Sequence, residues 1–292
     1  MAEGIIIKAL SGFYYVSDGE KVVSCRAKGR FRHVSTSPLV GDHVSFVRVT
    51  DSTGVIEAIG PRRNSFIRPA VANIDCLVFV ASAAKPVTDP YLIDRVSVIA
   101  DRASCETVVC INKCDLSDPE ELSGIYTRCG FPTVCTSAVT GEGVDILRAL
   151  IQGKVCALAG DSGIGKSSLI NRLVPGLSLG TGEISDKLGR GRHTTRHVEF
   201  FPLDGETFVA DTPGFASFEV QMVDSIEPED LQYHFPDFAP YLGSCRFDDC
   251  RHLSEPGCAV LAAIASGEVP PSRHESYKKL YEVLKTKSKI YR

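Results

Sequence analysis

At 292 residues, with 43% apolar and 23% charged residues and a formal net charge of −4, the chain is long enough for two or three domains with cores of their own. No apolar run approaches the roughly 20 residues needed to cross a bilayer, and Met1-Ala2-Glu3-Gly4 lacks the basic-then-apolar shape of a secretion signal, so no membrane association is expected. Eleven cysteines, most of them single residues inside apolar runs (Cys76, Cys110, Cys135, Cys156), argue against a disulfide framework and for a reducing cytoplasm.

The charge is unevenly placed. Residues 1–70 carry a net +4 and residues 272–292 a net +5, which leaves −13 on the middle. Basic ends on an acidic centre suit a molecule whose ends meet a polyanion. The first segment is predicted to hold short strands over 5–10, 13–16, 22–26, 44–49 and 55–59, with turn signals at Ser17-Asp18-Gly19, Val40-Gly41-Asp42 and Asp51-Ser52-Thr53-Gly54. So many short strands in so few residues predict a small closed barrel of the OB-fold type. Between the third and fourth strands, Arg26-Ala27-Lys28-Gly29-Arg30-Phe31-Arg32-His33 mixes basic residues with an aromatic, the combination that pairs with phosphates and stacks on bases. Arg26, Lys28, Arg30 and Arg32 are the candidate RNA contacts there. The stretch from Arg62-Arg63-Asn64 to Pro69 reads as a linker.

From Asn73 strands and helices alternate, the pattern of an α/β sheet. A buried strand over 74–83 and a helix over 92–103 precede a second buried strand over 107–111, which ends in Asn112-Lys113-Cys114-Asp115. Asn-Lys-x-Asp after a strand is the guanine-reading motif of GTPases. A carboxylate at Asp115 accepts both N1–H and N2–H of guanine, whereas adenine, lacking that donor pair, would leave it unpaired. A strand over 131–136 then delivers Ser137 and Ala138, placed to back the base through the main chain, and a helix over 143–152 follows.

The next element is Gly160-Asp161-Ser162-Gly163-Ile164-Gly165-Lys166-Ser167-Ser168, set between an apolar strand and a helix start, the phosphate-binding loop pattern. Its glycines let several N–H groups converge on one anion, and the helix N-terminus adds partial positive charge. Lys166 can then reach the outer phosphates while the Ser167 hydroxyl takes a Mg2+ position. Further on, Arg190-Gly191-Arg192-His193-Thr194-Thr195-Arg196 stands where a first switch belongs, with Thr195 the candidate for Mg2+ and the γ-phosphate and Thr194 the fallback. Strands over 198–202 and 207–210 lead into Asp211-Thr212-Pro213-Gly214, a second switch motif. There Asp211 is expected to hold a Mg2+-bound water and the Gly214 N–H to bond the γ-phosphate. Phe215 stands where many GTPases carry a water-orienting glutamine, so slow intrinsic turnover is expected, with His193 the best substitute for positioning water.

Motif order is informative. GTPase sheets ordinarily present the phosphate loop, then the switches, then the base-reading loops; here the base-reading loops come first. Joining the helix over 143–152 to the strand at 154 restores one sheet, so the sequence predicts a circular permutation. Downstream, Cys245-x4-Cys250-x-His252-x5-Cys258 supplies three thiolates and one imidazole, a closed tetrahedral set suited to one structural Zn2+. Helical patterns over 224–232, 259–267 and 274–289 surround it, and the last is basic (Lys278, Lys279, Lys285, Lys287, Lys289).

Taken over nearly its whole length, the chain resembles the RsgA family of circularly permuted GTPases that depend on the small ribosomal subunit. The resemblance rests on the barrel, on the motifs at Asn112–Asp115, Gly160–Ser168 and Asp211–Gly214 in permuted order, and on the Cys245/Cys250/His252/Cys258 set. It implies an OB-fold RNA-binding barrel over 1–68, a permuted α/β GTPase over 69–221 and a helical zinc unit over 222–292. It further implies a cytoplasmic monomer that binds the small subunit and its rRNA late in maturation and hydrolyses GTP to GDP when docked. Three other readings compete: a phosphate-loop ATPase or kinase, an RNA-binding scaffold that holds GTP without hydrolysing it, and a signalling GTPase with a protein effector.

Overall fold

A computed structural model describes residues 1–32, 37–67, 69–180, 198–211 and 226–290. The N-terminal strands are β1 (Ala2–Leu10), β2 (Phe13–Ser17), β3 (Val22–Ala27), β4 (His43–Arg48) and β5 (Thr53–Ile59). Alternation decides which face each buries: Val44 and Phe46 go inward while His43 is exposed, as a half-buried strand requires. The order β1-β2-β3-β5-β4 closes on itself through β1–β4, with β3–β5 its parallel pair, giving the expected five-stranded barrel. Ile6, Val16, Val23, Cys25, Phe46 and Ile56 fill its interior.

The expected linker is an ordered strap instead. It forms a hairpin of β6 (Ser65–Ile67) and β7 (Ala70–Ala72), and Ala72 N–H donates to Val40 O at 2.9 Å. Each residue of Arg62-Arg63-Asn64 has a fixed partner. Arg62 forks onto buried Asp42 through two 2.7 Å bonds, Arg63 pairs with Asp75 at 2.5 Å, and the Asn64 amide donates to Ile74 O at 2.8 Å. Polar residues that look solvated in sequence are here the staples between barrel and sheet.

The central sheet comprises β8 (Cys76–Ser82), β9 (Glu106–Asn112), β10 (Thr133–Cys135), β11 (Val155–Ala159), β12 (Glu199–Pro202) and β13 (Phe208–Asp211). Their order is β10-β9-β8-β11-β13-β12, parallel throughout except for β12 against β13. Every residue of β8 is buried, because helices cover both faces. Leu77, Phe79 and Ala81 face α1 (Pro90–Arg102); Cys76, Val78 and Val80 face the core built with α3 (Val144–Ile151) and α4 (Lys166–Leu173). Strand β11 between β8 and β13 realises the permuted connection. The helix α2 (Glu120–Arg128) is an addition to the predicted elements; its start is marked by Asp118 accepting from Glu120 N–H at 3.0 Å. At the far edge, β12 pairs with β1 at Glu199 opposite Lys8, and their side chains form a 2.8 Å ion pair, so barrel and sheet are continuous.

The C-terminal unit holds 3-10 turns at Pro228–His234 and Pro236–Tyr241, then α5 (Ala259–Ser266) and α6 (Pro271–Ile290). Where the pattern over 224–232 predicts a helix, the described part is a 3-10 turn. Pro228 starts it, and Phe235, pushed into extended backbone before Pro236, ends it there before a second turn opens. Arg273 of α6, 0% exposed, docks this unit on the sheet. It donates to Asp94 of α1 at 2.7 Å and to Asp237 at 2.6 Å, lies over the rings of Phe131 and Phe235, and shares Asp94 with the Tyr126 hydroxyl. Removing one member strands the others without water. Arg273→Ala is therefore expected to lose about 3–5 kcal/mol of unfolding free energy in denaturant titration, and a loss below about 1 kcal/mol would show that the junction is not a buried ionic contact.

Candidate functional site

The ends of the parallel strands bring the predicted nucleotide motifs together. The loop after β11 begins at Gly160 (φ +130°), where a Cβ would stand 2.3 Å from Val80 O; only glycine allows this approach of β11 to β8. It ends at Gly165 (φ +99°), the left-handed residue that starts α4. A Cβ there would lie 2.3 Å from Asn112 Nδ2, so the base-reading motif presses directly on the phosphate loop. That contact is a bond. The Asn112 amide donates to Ile164 O at 2.8 Å, while its Oδ1 accepts from Ala138 N–H at 3.0 Å and from the Thr136 hydroxyl at 3.3 Å. One side chain, 2% exposed, thus joins the Asn112-Lys113-Cys114-Asp115, Ser137-Ala138 and Gly160–Ser168 segments.

Around it the remaining residues take distinct places. Lys113 adopts a left-handed backbone (φ 68°), and its ammonium donates to Lys85 O at 2.9 Å. Cys114 is tied by its N–H to Thr136 O and by its thiol to Ile111 O, both at 3.1 Å; burial and neighbouring Cys135 push that thiol up to about 11, so it stays protonated. Asp115 is exposed and Ser137 buried, with Ser137 Oγ accepting from Thr140 N–H at 3.1 Å. Lys166 donates to Gly160 O at 2.7 Å and Asp161 O at 2.6 Å, which holds its ammonium over the loop. Asp161, Ser167 and Ser168 are half-buried, Ser162 and Gly163 exposed, and Ile164 buried in the core. The backbone of Asp211 ends β13 opposite Leu158 of β11. Its side chain, together with His193, Thr194, Thr195, Gly214 and Phe215, lies outside the described residues.

In the barrel, Arg26 is exposed and stacks over Phe13 at 4.7 Å, and Lys28 forms an ion pair with Glu57. The Arg30 and Arg32 side chains lie outside the described residues.

The second site is the cysteine–histidine set. The donor atoms of Cys245, Cys250, His252 and Cys258 all lie within 4.8 Å of one another. His252 Nδ1 is 3.5, 3.6 and 3.3 Å from the sulfurs of Cys245, Cys250 and Cys258, and the Cys245 and Cys258 sulfurs are 3.9 Å apart. A tetrahedral ion with metal–sulfur bonds of about 2.3 Å and metal–nitrogen bonds of about 2.0 Å has edges of about 3.8 Å between sulfurs and about 3.5 Å from sulfur to nitrogen. The donors therefore already have the spacing of a soft four-coordinate site. Backbone N–H groups of Ala259 and Leu261 point at the Cys245 and Cys258 sulfurs. Burial pushes the Cys250 thiol up to about 12, so ionising the set calls for a cation among the sulfurs. Burial also holds His252 below its ordinary 6.5, keeping the ring neutral and fit to ligate. Its other nitrogen, Nε2, bonds Gln232 Oε1 at 2.8 Å, which fixes the tautomer with Nδ1 free to bind.

The profile of the RsgA GTPase family matches residues 59–221, and that of the RsgA N-terminal domain matches residues 3–56. The chain belongs to the RsgA family. It is 43% identical over 290 residues to the small ribosomal subunit biogenesis GTPase RsgA of Caldanaerobacter subterraneus subsp. tengcongensis, covering 98% of this chain and 97% of that one. The crystal structure of YjeQ from Thermotoga maritima superimposes with a TM-score of 0.82 at 37% identity, over 97% of this chain and 98% of that one. YloQ, described as a circularly permuted GTPase, gives a TM-score of 0.77 at 36% identity, over 98% and 96% of the two chains. Motif order and strand order thus agree with the RsgA family in being a permuted GTPase.

Gln232 lies outside the sequence-predicted site, thirteen residues before the first cysteine of the set, and no local spacing marks it. Gln232→Ala is expected to weaken metal binding about 10- to 100-fold in competition with a chromophoric chelator. Unchanged affinity would show that the His252 ring needs no orienting partner.

Proposed function

We propose that this small-ribosomal-subunit biogenesis GTPase binds GTP across the two reunited halves of its sheet and hydrolyses it slowly until the subunit completes the site. The observation carrying this reading is the Asn112 amide, bonded at once to the phosphate loop and to the base-backing loop. In it, Asp115 accepts from the guanine edge, Lys113 flanks the base and Ser137-Ala138 backs it. The N–H groups from Gly160 to Ser168 and the Lys166 ammonium take the phosphates. Ser167, with Thr195 supplied by the first switch, would hold Mg2+, whose chemistry is to neutralise charge between the outer phosphates. Asp211 and Gly214 serve the second switch. Phe215 offers the attacking water no hydrogen bond, and His193 is the side chain assigned to orient it.

The cysteine–histidine set is assigned one structural Zn2+: its thiol-rich donors and tetrahedral spacing fit that ion, and four protein ligands leave no open position for catalysis. Arg26, Lys28, Arg30 and Arg32, with the basic end of α6, are assigned to rRNA, Lys28 exchanging Glu57 for phosphate on docking. Divisions at 1–68, 69–221 and 222–292, a monomeric state and a cytoplasmic setting belong to the same reading; among the described residues no helix is long and apolar enough to cross a membrane.

GTP hydrolysis measured with and without purified small subunits tests this directly. The subunits are expected to raise turnover about 10-fold or more, as ordering even one transition-state donor does. His193→Ala is expected to lose that rise while GDP affinity holds. Hydrolysis absent even in their presence would favour the GTP-holding scaffold, and a turnover indifferent to subunits would contradict a site that the subunit completes.

A further inference from the structure

We infer that Arg172 is a positioning residue for guanine recognition, clamping the base-backing loop to the helix that carries the phosphate lysine. The inference rests on the reading of Asn112–Asp115 and Ser137-Ala138 as the guanine site. Arg172 sits six residues after Lys166 on α4. Its Nε donates to Ala138 O at 2.9 Å and its Nη2 to Val139 O at 2.5 Å, so one planar guanidinium spans two consecutive carbonyls. The N–H of Ala138 is meanwhile held by Asn112 Oδ1. The segment that backs the base is thus gripped on one side from the base-reading motif and on the other from the phosphate-loop helix.

The rest of that loop bonds to itself. Thr140 N–H donates to Ser137 Oγ at 3.1 Å, Gly141 N–H to Ser137 O at 2.8 Å and Ser137 N–H to Glu142 O at 3.0 Å. Val144 N–H at the start of α3 holds Gly141 O at 3.3 Å, while Asn112 and Arg172 hold Ala138 and Val139, the part that backs the base. The helix end that bears Arg172 is itself fixed, because Arg148 of α3 donates to Leu173 O at 2.6 Å. Lys166 and Arg172 are therefore two ends of one short rigid rod, about 9 Å apart along its axis. The lysine anchors phosphate and the arginine sets where the base wall stands relative to it. Permutation gives this tether its place: loop 137–141 precedes the phosphate loop in the chain, with α3 and β11 between them, so the helix after the phosphate loop folds back to close the site.

A clamp on the base wall acts on the base, not on the phosphates. With Arg172→Ala, the dissociation constant for GDP is expected to rise about 5- to 10-fold, the scale of a charge-assisted bond discounted for exposure. That for ADP should hold, both being measured by displacement of fluorescent GDP from the full chain. Preference for guanine over adenine then narrows by the same factor, and Arg172→Lys, keeping one donor, falls between. For GTP, KM rises while kcat at saturation is retained. Equal weakening of GDP and ADP would mark a softened helix, and unchanged GDP binding an idle surface contact; either overturns the inference. Should the alanine variant fail to fold, the lysine variant reads the same ratio. A wild-type chain that binds ADP as well as GDP would instead defeat the guanine reading itself, whatever the variants do.

Discussion

The arrangement of this protein depends on a single buried carboxamide. Held away from water, the Asn112 amide N–H donates to the Ile164 carbonyl, and its Oδ1 accepts from the Ala138 N–H and the Thr136 hydroxyl. Leaving any of these unpaired costs about 1–3 kcal/mol, so the three loops cannot drift apart without a penalty of that size for each broken contact. Glycine at 165 is part of the same constraint, since any side chain there would collide with the Asn112 amide. The site is a consequence of bringing the ends of β10, β9 and β11 to one edge of a parallel sheet, with β8 between the last two. Chain order does not enter into it, which is why a permuted sequence can build it.

Permutation does change what the nucleotide domain is attached to. In this chain β12 lies between the two predicted switch segments, and β12 is also the strand that pairs with the barrel, through Glu199 and Lys8. The second switch runs on into the C-terminal unit, which is seated on α1 by the Arg273–Asp94–Asp237 cluster. His274, next to Arg273, donates to the carbonyl of His252, a member of the cysteine–histidine set, at 2.7 Å. Two consecutive residues of α6 therefore connect the cysteine–histidine set to α1 on the sheet. Barrel and sheet thus meet through the partly exposed Lys8–Glu199 pair, and the C-terminal unit meets α1 through a buried ionic cluster.

Much of this was legible because the relevant signals are local. The phosphate loop, Asn112-Lys113-Cys114-Asp115 and the four metal donors each occupy a short run in which residue type and spacing carry the chemistry. Strand alternation likewise marked the five barrel strands to within three residues of their ends, the largest difference being at the start of β1. What escaped is non-local. Arg172 reads as one more basic residue on a helix until its carbonyl partners, 33 and 34 positions earlier, are in view. Arg273 meets Asp94 across 179 positions, and Gln232 reaches His252 across 20. The strap at 62–72 looked like a linker because its charges are indistinguishable from solvated ones until Asp42 and Asp75 are placed beside them.

In the proposed function guanine sits with its edge at Asp115 and its phosphates at Lys166. Xanthine carries a carbonyl where guanine carries its 2-amino group, so an amide in place of the Asp115 carboxylate exchanges one base preference for the other. Equilibrium binding of GDP and of xanthosine diphosphate to Asp115→Asn is therefore the most direct measurement. The account predicts that GDP affinity falls at least about 10-fold while xanthosine diphosphate affinity rises above that of the unsubstituted chain. GDP binding that is indifferent to the substitution would contradict it.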